Sequence, residues 1–313
     1  MAPGSRTGVA RPGPRAAMIA PMDEALTQAI ERLYREFAEY RLETPSPCAT
    51  CYSPEIVARI EGRLRTTPLR DLTVDDIGHF YTDGVLTWGG VEDLRHLLPR
   101  LMELFAAHHL GEGDPWQDDG SRLRVDLDPA VSLLRFPDAE WWTWPAGERE
   151  AVDDFLFALW RAYLATDKGE WGVWEDEALP AAILRLTPDP LRFLAHWRAC
   201  DWAGTRHLAA FVTHGDHTGI WWARETDGPT VTLNGEAIRR WLGEPATVLQ
   251  LEDTARSLAP RDTAWEAVLA LDVLTNGRGV VSMVPEDWAV DDSLHRRALE
   301  LGVELPEVAA PTG

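Results

Sequence analysis

Little in this chain of 313 residues is suited to covalent or redox chemistry. It has three cysteines, Cys48, Cys51 and Cys200, an odd number without disulfide-framework spacing, which argues against a cross-linked secreted fold, so a reducing, cytoplasmic setting is expected. No run approaches the ~18 apolar residues that span a bilayer, which argues against a membrane helix. Neither a Gly-rich phosphate loop nor a Gly-x-Ser-x-Gly elbow occurs, so P-loop nucleotide hydrolysis and α/β-hydrolase chemistry have no residues to rest on. Basic residues are the other shortage: Lys plus Arg total 30 against 51 Asp plus Glu, a net of −21. A field of that sign repels phosphate backbones and anionic lipid, so neither nucleic acid nor membrane is an expected partner.

What is present is apolar and periodic. Hydrophobic residues make up 45% of the chain, enough for a substantial core. Leu26, Ile30, Leu33, Tyr34 and Phe37 recur every three or four residues and predict a first helix over 22–42, stopped by Pro45-Ser46-Pro47. Ser53-Pro54 is a cap followed by proline in the first turn and opens a second helix reaching about Leu64. A short helix is expected over 73–81. From Val91 to His108 the leucines again fall in register, but Pro99 interrupts them and predicts two pieces meeting there.

Beyond a Gly-, Asp- and Pro-rich stretch at 111–129, the pattern over Glu148 to Thr166 predicts a central helix. Helices are expected at 178–186, 190–198, 202–213, from an Asn234 cap to Trp241, and over 263–274. Ile220 to Leu233, around Asp227-Gly228, is read as a loop or at most one short β-hairpin. The expected fold is all-α, an irregular helical array, solenoid-like where successive pairs stack. The expected organisation is a disordered tail at 1–21, a helical unit at 22–110, a loop at 111–129, a second helical unit at 130–305 and a frayed end at 306–313.

Fifteen tryptophans, eight of them between Trp141 and Trp202, suggest either ligand stacking or wedges between helices, and the large area an indole buries favours wedges. Adjacent carboxylates such as Asp75-Asp76 and Asp153-Asp154 point about 100° apart on a helix and read as solvated faces.

Three constellations carry candidate chemistry. Cys48-x-x-Cys51 sits in a proline-bounded loop, where two thiolates supply half of a zinc site; His79 and His96 are the nearest residues able to complete a tetrahedral set. The competing reading is two small apolar thiols under a turn, and a thioredoxin-like role is disfavoured because a helix, not a strand, precedes the pair. Trp88, Asp93 and Arg100 form a candidate binding group, an arginine held by Asp93 near an indole and offering a planar fork to a carboxylate or phosphate. His207, His214 and His217 are a weaker cluster, without the glutamate of a metalloprotease motif.

The order Cys48-x-x-Cys51, Pro68-Leu69-Arg70-x-Leu72, Thr87-Trp88-Gly89 and Asp93-x-x-His96-x-Leu98-Pro99-Arg100-x-x-Glu103-Leu104 resembles a group of uncharacterised bacterial helical proteins over residues 25–110. The resemblance implies no activity; it implies that the cysteine loop and the Trp88 segment belong to one structural unit. The resulting expectation is a non-catalytic protein-interaction module with an unidentified protein partner and no catalytic or cofactor-binding residue. A structural zinc protein and an enzyme built on the histidine cluster are the alternatives.

Overall fold

The computed structural model describes residues 23–42, 50, 52–73, 76–77, 89–110, 141–166, 178–214, 229–259, 264–276 and 292–305. These residues form an all-α protein of eleven α-helices. In chain order they are α1 (Glu24–Glu36), α2 (Pro54–Thr66), α3 (Val91–His109), α4 (Ala146–Leu164), α5 (Ala178–Leu186), α6 (Pro190–Arg198), α7 (Trp202–His214), α8 (Pro229–Leu242), α9 (Pro245–Leu258), α10 (Ala264–Asn276) and α11 (Asp292–Leu301). The tail at 1–21, the loop at 111–129 and the end at 306–313 lie outside the described residues.

Helix starts follow local chemistry. Asp23, Ser53 and Asp189 each accept a hydrogen bond from a first-turn backbone N–H, and Pro54 and Pro190 occupy first-turn positions where no donor is lost. At Thr73 the reciprocal half of a capping box forms, with the Asp76 carboxylate accepting from both the Thr73 N–H and its hydroxyl at 2.9 Å. Arg63 grips the same carboxylate at 2.8 and 3.0 Å and draws the end of α2 onto this turn.

Two expectations are corrected. Pro99 does not divide its helix: α3 runs unbroken from Val91 to His109. A proline deletes one backbone hydrogen bond, and here the buried leucines Leu94, Leu97, Leu98 and Leu101 hold both sides of that gap in one core. Residues 229–233, the end of the stretch read as a loop or hairpin, are helical, because α8 begins at Pro229, five residues before the expected Asn234 cap. Pro229 carries the φ that a first helical turn requires. Asn234, now inside α8, donates to the carbonyls of Leu184 and Thr187 at 3.0 and 2.8 Å and satisfies the C-terminal end of α5. Ile220 to Gly228 lies outside the described residues.

Helix α4 is the hub. Ten of its side chains are buried, among them Val152, Phe155, Leu159, Trp160 and Tyr163. It packs against α1 on one side and against α5, α6 and α7 on the other, while α10 packs between α7 and α9 and carries α11. One contiguous apolar cluster runs through these helices from Leu26 to Val303. Tryptophan serves as a wedge: Trp160 meets Trp197 edge-on at 4.8 Å, and Trp197 stacks on Trp241 at 6.1 Å and meets Phe211 at 5.2 Å. The Trp197 indole donates to the Gly204 carbonyl at 2.7 Å. Gly204 permits the tight α6–α7 corner, since a Cβ there would lie 2.3 Å from that of Cys200.

Candidate functional site

Of the binding group expected from sequence, Asp93 and Arg100 are described, and they have different partners. Asp93 is buried at the helix start, where its Oδ2 accepts from the Gly90 N–H at 2.9 Å, the reciprocal half of a helix cap. The carboxylate sits so close to Gly89 that a Cβ there would lie 2.5 Å from Oδ2. Asp93 therefore does not hold Arg100, which corrects the expected pair. Arg100 instead donates from Nε to the Leu72 carbonyl at 2.7 Å and from Nη1 to Glu103 at 2.6 Å, and the Tyr34 hydroxyl donates to the same Glu103 oxygen at 2.7 Å. Burial, then that hydrogen bond, pushes the Tyr34 phenol above its ordinary value. The group ties α3 to α1 and to the turn before Thr73. Trp88 lies outside the described residues, as do Cys48, Cys51 and His79.

His96 places its Nδ1 3.0 Å from the Tyr40 carbonyl oxygen. That oxygen only accepts, so Nδ1 carries the proton and Nε2 keeps its lone pair in the neutral ring. Burial pushes the imidazole below its ordinary pKa, reinforced by Arg41 and opposed by the Tyr40 carbonyl and Asp93.

Of the histidine cluster, only His207 has a described side chain. His207 is buried, with Nε2 3.1 Å from the Thr166 carbonyl and its ring 4.4 Å from that of Tyr163, so it braces the end of α4. His214 is the last residue of α7, the helix that carries His207, about 10 Å further along its axis, and His217 lies outside the described residues. Among the described residues, no group of three or more His, Cys, Asp or Glu is arranged to hold a metal ion.

Two features escaped the sequence analysis. The first is a buried triad. Tyr40 donates to Glu148 at 2.6 Å, Arg95 donates to the Tyr40 hydroxyl at 3.2 Å, and the Arg95 Nε lies 3.6 Å from the second Glu148 oxygen. The guanidinium also covers the Trp144 ring at 4.6 Å. Burial first, and the bond to Glu148 second, raises the Tyr40 phenol to about 12. Glu148 and Arg95 expose only 5% and 16% of their side chains, and Arg95 also reaches the exposed Glu92 at 3.3 Å, so this largely inward network joins the chain just after α1 to α3 and α4.

The second feature is a cleft of about 410 Å³ lined by Arg32, Trp141, Arg149, Glu150, Asp153, Asp154 and Pro188. The 100° offset between Asp153 and Asp154 sends them to different neighbours: Asp154 pairs with Arg32 of α1, and Asp153 with Arg192 of α6 at 2.6 Å. Arg32 also reaches Glu150 at 2.8 Å, and the Thr187 hydroxyl approaches Asp153 at 3.4 Å. Burial raises the Asp153 pKa against the opposing pull of Arg192. Arg192 in turn lies over the Phe157 ring at 3.9 Å. Unlike the triad, this lining is open, with Glu150 65% and Asp154 45% exposed. The adjacent aspartates, read from sequence as a solvated face, are the nearest signal the sequence held for it.

Comparison with known proteins finds no match for this chain among protein-family models, curated proteins or solved structures. Among the described residues, no helix is long and apolar enough to cross a membrane.

Proposed function

We propose that this protein is a non-catalytic interaction module of the cytoplasm that holds a protein partner, not nucleic acid, at the cleft between α1, α4 and the α5–α6 corner. The observation that carries this reading is the cleft's open lattice of arginine–carboxylate pairs, Arg32 with Glu150 and Asp154, and Arg192 with Asp153. Of these, the pairs made by the exposed Glu150 and Asp154 contribute only about 0–1 kcal/mol each. A partner's charged side chain can therefore replace one member at small cost while retaining the geometry. Fixed charges of both signs select a partner carrying the complementary pattern, and the net charge of −21 favours a basic protein.

The test is purification of the protein with its companion from the native host at low ionic strength, beside the Glu150→Gln/Asp153→Asn/Asp154→Asn variant. The expected result is a companion that is lost in the variant and at about 1 M salt, where the screening length falls to about 3 Å. A chain recovered alone, or a complex indifferent to the three substitutions, overturns the reading.

His96 favours a second reading, a structural zinc site with Cys48, Cys51 and His79. A neutral imidazole whose Nδ1–H is fixed by a backbone carbonyl presents Nε2 as the arrangement of a metal ligand, with the Tyr40 carbonyl in the outer shell. The same contact ties α3 to the chain eight residues before Cys48, in line with the single unit implied by the resemblance over residues 25–110. Elemental analysis of reduced protein should find stoichiometric zinc that is lost in Cys48→Ser/Cys51→Ser and weakened in His96→Ala. Zinc-free wild-type protein removes this reading and leaves the first untouched.

A further inference from the structure

We draw no further inference here: the strongest candidate outside the cleft, the Cys200 thiol beside His196 at the α6–α7 corner, is a single part-buried cysteine whose hydrogen bonds stay within its own helical turn and whose pKa is raised to about 11 by burial, and nothing else at that corner points to a ligand.

Discussion

On its α1 side helix α4 is held by several charged contacts as well as apolar ones, whereas on its α6–α7 side rings dominate, with the Asp153–Arg192 pair beside them. Both seams bury aliphatic side chains such as Leu33 and Leu194. Across the first, Arg32 bridges to Glu150 and Asp154, and Glu148 meets Tyr40 and Arg95. Across the second, Trp160 meets Phe193 edge-on at 5.6 Å and Trp197 at 4.8 Å. The physical consequences differ. Ring burial is non-directional, lightly affected by pH or salt, and large per residue. Charged contacts are directional; they bring net stability only when desolvation is offset, and they respond to protonation and ionic strength. The proposed cleft lies where open charged pairs from both sides meet, Arg32 with Glu150 and Asp154 from α1 and Arg192 with Asp153 from α6.

That contrast is most directly broken at Trp197. Trp197→Ala removes the centre of the aromatic column and should cost about 3–5 kcal/mol in urea unfolding. A loss below about 1 kcal/mol would mean that the column is not what secures the α6–α7 side. On the charged side, Glu148→Ala leaves the Tyr40 hydroxyl and the Arg95 Nε without their buried acceptor, while Arg95 keeps the exposed Glu92 at 3.3 Å, and should cost about 1–3 kcal/mol. The double variant Glu148→Leu/Arg95→Met, which removes both charges, should recover most of that loss. If it is no more stable than the single variant, the triad stabilises by more than mutual charge compensation.

The smallest expected effect is one of pH and belongs to the Asp76 cap. Its carboxyl is held down to about 2, first by the Arg63 hydrogen bond and further by the Thr73 N–H and hydroxyl, against the opposing effect of burial. A group whose folded pKa lies below its unfolded value near 4 stabilises the fold above that value and loses its contribution as pH falls from about 4 to about 2. The gap in unfolding free energy between wild type and Asp76→Asn should therefore be constant near neutrality and narrow across that window. A gap unchanged down to pH about 2 would show that the carboxylate's charge is irrelevant to the turn. Trp197→Ala should show no such window.

Local signals were legible where one residue's own chemistry decides the backbone. Ser53-Pro54 and Asp189-Pro190 start helices where the side-chain oxygen and the locked φ require it, and the stripe from Val152 to Leu164 builds α4. Legibility failed where a distant contact overrides or replaces the local cue. Asn234 has the chemistry of a cap but caps another helix, because Leu184 and Thr187 offer carbonyls that need a donor. Helix α9 went unread because its buried positions mix Thr247 and Thr254 with Leu251, Ala255 and Leu258, which blurs the stripe. Helix α11 is short, with only Leu294, Ala298 and Leu301 turned inward. The candidate site was least legible of all: Arg32, Asp153 and Arg192 are ordinary surface residues until α1, α4 and α6 converge.

Periodicity and capping are properties of neighbours within a few residues, and from them alone the chain was bound to be helical, acidic and rich in buried indole. Which carboxylate meets which arginine, whether Asp93 serves a helix start or a ligand, and where a cleft stays open depend on contacts between residues as far apart as Arg32 and Asp154. Such pairings follow from how whole helices settle against one another to bury their apolar faces, and no window of sequence contains that geometry.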